Sequence, residues 1–486
     1  MLLSAPRAAV DRAVDWMGPL GVPICLVPYK MMEIAIRYST ANELAALLRD
    51  RSVSAVEMLE SSLILLTELG PRYNALANLL SERAYDDARA ADIRLSQRDP
   101  TTLCGIPYGV KDAFSARGAP TTWGAAAFSE RVFDRDATAI RRLTKSGAVL
   151  TAKLSMSELG GLGQASRAGA SLHGQARNPW NPSRYAGGSS GGSAVVVATG
   201  ALPFSLGTET SGSVLGPAAY CGVTGYRPTL GTIPRGGVMT LAPSLDKVGV
   251  IARSADDCAI VREAITSRTP HQYRDELGCV RVGVVDRELA EIPHTMVRAL
   301  TTGIEEFRRI FSTFVSVDVD GTFGYTDAIE TLELIEGAKA LKQELDRPDF
   351  DMTDSQQLES LRAATHTSTK VESLKAARVP MRAAQQMFRS LFSRVDILLS
   401  VTRPRVAPLL SSPRPKGSSP GVTEVLRTAG NLAGVPAVTL PSGLSREGLP
   451  VALQLLGPRG SDGLLLAVGA AYQRSTAYHL LRPPAE

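Results

Sequence analysis

Apolar residues recur at helical spacing through Ala41–Leu48 and again through Ala55–Leu66, with Ser39 or Thr40 placed to cap the first of these helices. Residues 81–97 read as a third helix. Asp136 stands as the N-cap of a helix through Lys145, Gly147 ends it, and AVLTAKL (Ala148–Leu154) is an apolar run of strand length. Ser254 with Asp257 spells an N-terminal capping pair for a helix to about Ile265. Beyond it, VRVGVVD (Val280–Asp286), FVSVDVD (Phe314–Asp320) and DILLSV (Asp396–Val401) predict strands, alternating with helices near 294–311, 325–345 and 373–395. Alternation of this kind predicts an α/β fold, with a mostly parallel or mixed sheet covered by helices. The proline-rich stretch Thr402–Gly421 predicts a loop, either a surface connector or the rim of a substrate channel.

Composition narrows the function classes. A chain of 486 residues that is 44% hydrophobic can bury a large core, and length alone suggests about three domains. The formal net charge of +5 is small, and the basic runs are no longer than the pairs Arg141–Arg142 and Arg308–Arg309, which counts against a nucleic-acid partner. Five cysteines are scattered without CxxC spacing, fitting buried thiols in a reducing compartment and not a disulfide framework or zinc site. The five histidines are isolated, so no metal-ligand cluster is expected. Residues 16–28, WMGPLGVPICLVP, are apolar but broken by prolines and too short to span a bilayer, and Asp11 and Asp15 occupy the place of a signal peptide's basic start. A cytoplasmic protein without a membrane partner is expected, with residues 1–30 as an N-terminal extension.

The densest chemistry lies between Tyr185 and Pro228, YAGGSSGGSAVVVATGALPFSLGTETSGSVLGPAAYCGVTGYRP, where Ser189 and Ser213 each sit among glycines. A flexible linker would lack the Val195–Val196–Val197 run and the apolar Leu202–Leu206 segment. Glycines crowded around a serine let main-chain N–H groups approach a reacting atom closely, although a serine among glycines is equally a common turn residue. GGSSG (Gly187–Gly191) fits the nucleophile-elbow pattern, but NPWNPSRYA precedes it where an apolar strand should be. Ser244 and Lys247 satisfy SxxK, yet Lys145–Ser146–Gly147 lies upstream, the wrong order for a β-lactamase-type site. No GK[ST] follows the glycines, which removes a phosphate loop.

This segment closely resembles the serine–glycine signature of the amidase signature family, and the resemblance continues outside it. CGIPYGVKDAF (Cys104–Phe114), TTWGAAAF (Thr121–Phe128), the run Asp136–Gly160, RNPWNPSR (Arg177–Arg184), SLDKVGVIARSADDCAIV (Ser244–Val261) and the run Asn431–Gly460 all match in order. Coverage runs from about Tyr38 to the C-terminus and is weakest between roughly Pro270 and Val395. The resemblance implies one large α/β domain over residues 31–486, with a twisted mixed sheet between helices on both faces.

It also implies chemistry. Ser213 in TETSGS is expected as nucleophile, Ser189 as the bridging serine after a cis peptide bond, and Lys111 in GVKD as base. Main-chain groups of Thr210, Ser211, Gly212 and Ser213 are expected to form the oxyanion hole, with Asp112, Ser190, Thr208 and Glu209 in support. A lysine works as a base only when neutral, so its pKa must fall by about three units, equivalent to about 4 kcal/mol. The apolar neighbours Ile106, Tyr108 and Val110 predict the burial this requires. The chain departs from the commonest family spelling, which has aspartate at Glu209, glycine at Ser211 and arginine at Leu215. Loss of that arginine means that Glu209 needs another partner. The expected reaction is hydrolysis of a carboxamide through an acyl-enzyme, on a small-molecule amide or acyl substrate, with no metal or organic cofactor. Two alternatives are amide formation by acyl transfer and an amidotransferase-type subunit that works only in a complex; the spelling at Glu209 and Leu215 counts against the latter. A homodimer is left open. Acyl selectivity is expected from Phe323–Met387 and the proline-rich loop.

Overall fold

The strands account for the chain's long apolar runs. The computed structural model describes residues 36–99, 101–162, 170–266, 277–319, 324–353, 355–366, 370–412 and 421–484. Eleven strands form one sheet: β1 (Leu76–Leu79), β2 (Pro107–Lys111), β3 (Val149–Leu154), β6 (Phe204–Glu209), β7 (Thr224–Arg227), β8 (Lys247–Ala252), β9 (Arg281–Val284), β10 (Thr313–Ser316), β11 (Ile397–Val401), β12 (Ala437–Leu444) and β13 (Pro450–Leu456). Their order is β1-β3-β2-β6-β8-β7-β12-β13-β11-β9-β10, and β4 (Arg177–Asn178) with β5 (Asn181–Tyr185) makes a separate ribbon. The sheet is mixed. β2 pairs in parallel with both β3 and β6, whereas β6, β8, β7, β12 and β13 succeed one another antiparallel.

Burial on both faces explains why the central strands read as continuous hydrophobic runs without alternation. On β8, Val248, Val250 and Ala252 join one core cluster while the intervening Ile251 joins another. On β13, Leu453 and Leu455 face one cluster and Leu456 another. Successive side chains point to opposite faces, so both sides of the sheet are covered. One α/β domain results, not the three that length suggested.

The helices at Ala41–Arg49 and Ala55–Arg72 begin with reciprocal caps, Thr40 with Glu43 and Ser54 with Glu57. The helix Thr138–Lys145 corrects one expectation. Its N-cap is Ala137 without a side-chain hydrogen bond, and Asp136 instead accepts from both ends of the Arg83 guanidinium at 2.9 Å and from the Arg117 N–H at 2.8 Å. A buried carboxylate with a bidentate arginine in reach prefers that partner to helix capping. The helix Ala255–Thr266 keeps half of its expected pair: Ser254 Oγ accepts from the Asp257 N–H, while Asp257 accepts from the Asn42 N–H. The helix expected near 325–345 is two, Tyr325–Ala340 and Lys342–Leu345. Cys104, Cys221 and Cys258 are buried, but Cys279 is exposed, and Cys25 and residues 1–30 as a whole lie outside the described residues. Among the described residues, no helix is long and apolar enough to cross a membrane, and no group of His, Cys, Asp or Glu is arranged to hold a metal ion.

Candidate active site

Two adjacent parallel strands, β2 and β6, deliver their carboxyl ends to one place, the usual position for a site in an open α/β sheet. β2 ends at Lys111, which is fully buried. β6 ends in Thr208 and Glu209. The turn 210–214 then leads into the helix Leu215–Cys221, and the segment Gly187–Ser190 leads into the fully buried apolar helix Gly191–Ala198. Glycine is required at two points here. Gly187 has φ +92°, and a Cβ on it would meet the Pro217 main chain at 2.7 Å. Gly212 has φ +122°, a conformation that L side chains rarely adopt. The Gly188–Ser189 peptide bond is cis.

Lys111 Nζ donates to Ser189 Oγ at 2.7 Å and to Thr208 Oγ1 at 2.7 Å. Neither partner is charged. Burial pulls the Lys111 ammonium down to about 7, against the opposing pull of Asp246 and Glu209. Ser190 ties the two serine segments together: its N–H donates to the Ser213 carbonyl at 3.3 Å and its hydroxyl to the Thr208 carbonyl at 3.3 Å. Among the described residues the Ser213 hydroxyl makes no hydrogen bond to Ser189, so Lys111 and Ser189 are in contact while Ser213 joins them through the main chain.

The turn after β6 is held by charge on its outer side. Arg427 donates to the Ser211 carbonyl, Arg403 Nη2 to the Gly212 carbonyl at 3.3 Å, and Glu333 bonds to the Ser211 side chain. Glu209 Oε2 accepts from the Val214 and Leu215 N–H groups at 2.8 and 2.9 Å. The carbonyls are therefore drawn outward. Among the described residues the N–H groups of Ser211, Gly212 and Ser213 have no hydrogen-bond acceptor. Such an arrangement leaves donors for a developing oxyanion.

Glu209 finds its counter-charge in Arg227 at the end of β7, with Nη1–Oε1 at 3.2 Å and both groups buried. Burial works against its charge, but Arg227 and the two turn N–H groups hold its carboxyl below the usual carboxylate range. Asn431 Nδ2 reaches Oε1 at 3.4 Å. Asp112, expected beside Lys111, turns elsewhere. It forms a buried ion pair with Lys153 of β3, Oδ1–Nζ 2.7 Å, and accepts from the N–H (3.0 Å) and hydroxyl of Thr122. Adjacent residues at the end of a strand point to opposite sides, so the neighbour of a base is not thereby its partner. The sequence reading missed Lys153, Arg227, Arg403, Arg427 and Glu333. A lysine inside the apolar strand AVLTAKL was the one legible signal among them.

The amidase family model matches residues 57–466. The chain is 32% identical to a glutamyl-tRNA(Gln) amidotransferase subunit from Chromohalobacter salexigens, covering 91% of this chain and 98% of that one. It is also 32% identical to the corresponding protein of Chloroflexus aurantiacus, covering 92% and 99%. Among solved structures it resembles the native peptide amidase of Stenotrophomonas maltophilia, with TM-score 0.80, 28% identity and coverage of 92% and 98%. A crystal structure of an amidase matches with TM-score 0.77, 30% identity and coverage of 90% and 99%. The curated relatives weigh toward the amidotransferase alternative, against which the spelling at Glu209 and Leu215 had counted. Fold, serine–glycine segment and relatives agree, and the chain belongs to the amidase signature family.

Proposed function

We propose that this protein cleaves the C–N bond of a carboxamide through an acyl-enzyme on Ser213. The observation that carries the reading is a fully buried lysine whose hydrogen-bond partners, among the described residues, are two hydroxyls, one of them Ser189. In this scheme neutral Lys111 takes a proton from Ser189 as Ser189 takes one from Ser213, and Ser213 Oγ bonds to the amide carbon. The N–H groups of the Thr210–Ser213 turn stabilise the oxyanion. The proton returns through Ser189 to the departing nitrogen, the C–N bond breaks, and water repeats the sequence to release the acid. Ser190 and Glu209 hold the two segments in register, while Thr208 orients the amine.

The relatives favour a second reading of the same chemistry, in which the chain is the amide-cleaving component of an amidotransferase and works with partner chains. Ammonia release from a panel of carboxamides, measured with and without the products of neighbouring genes, separates the two. Ser213→Ala should lower turnover by about 10³-fold or more while the protein stays folded. A folded Ser213→Ala protein with near-normal turnover overturns the proposal, and activity seen only with added polypeptides selects the amidotransferase reading.

A further inference from the structure

Glu288 is a buried acid outside the relay, in the short helix Asp286–Glu291 that follows β9. Its partners among the described residues are two hydroxyls and one main-chain N–H. Oε1 accepts from Ser400 Oγ and from Thr423 Oγ1, each at 2.7 Å, and Oε2 accepts from the Val401 N–H at 3.1 Å. These donors belong to two elements. Ser400 and Val401 end β11, whereas Thr423 stands in the first turn of the helix Val422–Ala433, whose leading N–H is held by Glu291 Oε2 at 2.7 Å. Each element carries an arginine to the turn after β6. Arg403 follows Val401 by two residues, Arg427 lies one turn along from Thr423, and their guanidiniums take the carbonyls of Gly212 and Ser211. The contact is close: a Cβ on Gly216 would collide with the Arg403 guanidinium, and one on Gly212 would stand 3.2 Å from Arg427 Cδ. A peptide carbonyl and the N–H of the next residue share one plane and point opposite ways in a trans bond. Arg427 on the Ser211 carbonyl therefore aims the Gly212 N–H, and Arg403 on the Gly212 carbonyl aims the Ser213 N–H.

We infer that Glu288 is a positioning residue for the oxyanion turn: its carboxyl clasps the end of β11 to the start of the helix Val422–Ala433 and acts on the turn through Arg403 and Arg427. The inference rests on the amide-cleaving reading above. The clasp depends on the shape of the carboxyl and not on its charge. Burial pushes Glu288 up to about 7 against the pull of its three donors, with Glu291 adding to the rise. A proton on Oε1 is donated to Ser400 Oγ, whose own hydroxyl turns to the Val401 carbonyl at 3.4 Å, while Thr423 and the Val401 N–H keep their places. Both protonation states hold the two elements together, so Glu288 adds no limb of its own to a pH profile.

The test combines steady-state ammonia release with main-chain hydrogen exchange, both on the full chain and on variants verified as folded. Glu288→Ala should lower kcat at least about tenfold while KM stays within about twofold, the pattern of a misaimed oxyanion donor. Glu288→Gln, which offers its NH₂ to the two hydroxyls and its carbonyl to the Val401 N–H, should stay within about threefold of the unaltered kcat. Arg403→Met should also lower kcat, and adding Glu288→Ala to it should cost clearly less than Glu288→Ala costs alone, because part of the route is already gone. Exchange at Ser211–Ser213 should quicken in Glu288→Ala protein and stay unchanged in β2. Near-normal kcat in Glu288→Ala protein, losses that simply multiply with Arg403→Met, or a Glu288→Gln variant as damaged as Glu288→Ala each overturn the inference. If Glu288→Ala does not fold, Thr423→Val removes one donor from the clasp and should give a smaller kcat loss in the same direction; an unchanged kcat there is equally fatal. Absence of turnover in the unaltered chain, alone or with partner chains, would sink the hydrolytic reading instead, and the exchange comparison would still decide the clasp.

Discussion

Lys111 and Lys153 lie on neighbouring parallel strands, the register placing Val110 opposite Lys153 and Lys111 opposite Leu154. Both are fully buried. Lys153 has a carboxylate at 2.7 Å and further bonds to Thr121 Oγ1 at 2.7 Å and the Pro120 carbonyl at 3.4 Å. Among the described residues, Lys111 has two hydroxyls and no acid in contact. One burial, two outcomes: an ion pair stabilises the charged amine and makes it a structural tie, whereas hydroxyl partners leave desolvation unopposed at close range and favour the neutral amine. Asp112 decides between them. It follows Lys111 in the chain but turns to Lys153, and by doing so it both fixes β3 against the Thr121–Thr122 loop and spares Lys111 a counter-charge.

Activity should break the symmetry most strongly. Replacing the proposed base, Lys111→Met, should reduce turnover of any accepted amide by about 10³-fold or more, because the relay loses the neutral amine at Ser189. Ammonia release in single-turnover conditions reads this directly. Comparable losses in Lys153→Met protein that is verified as folded would mean that the two lysines are not divided in the way their partners indicate.

Stability should divide them in the opposite sense. Lys153→Met strands the Asp112 carboxylate in the interior with, among the described residues, only Thr122 hydrogen-bonded to it, and breaking a buried pair from one side costs about 3–5 kcal/mol. Lys111→Met strands no charge. Its two lost hydrogen bonds are offset by removal of an amine that burial penalises, so stability read from denaturant unfolding should move by about 1 kcal/mol or less in either direction. Equal destabilisation in the two variants would show that Lys111 is also an ion-pair member.

How much of this was legible in the sequence depends on range along the chain. The helices at Ala41 and Ala55, the strands around Ala148–Leu154 and Asp396–Val401, and the serine–glycine segment are local patterns, and each stands within a few residues of its expected place. The chemistry-bearing strand β2 and the glycine-bounded turns were readable because their motifs need particular residues at fixed spacing. Asp136 misled because a capping residue and an ion-pair partner look alike until Arg83 is brought to it. The counter-charges were hidden for the same reason. Arg227 pairs with Glu209 across β8, and Arg403 and Arg427 arrive from far downstream to reach the turn. No spacing rule announces a contact that sheet order creates.

The smallest effect, and the sharpest on the chemistry, is the pH profile. A base must be neutral to accept a proton, and burial has brought Lys111 down to about 7. Below that value the neutral fraction falls about tenfold per pH unit, so kcat/KM should rise with pH up to about 7 and then level off. Lys247 is also drawn to about 7 by burial, so the measurement needs an uncharged amide substrate, which offers that second lysine no anion to bind. Burial also lowers the Lys153 ammonium, against the opposing pull of the Asp112 carboxylate at 2.7 Å, but Lys153 makes no hydrogen bond to either serine among the described residues. The comparison predicts one ascending limb, assignable to Lys111, whose Nζ is bonded to Ser189 Oγ. A flat profile between about pH 5.5 and 8.5 with folded protein would mean that Lys111 stays charged throughout, and a charged lysine beside Ser189 could orient the hydroxyl but could not deprotonate it.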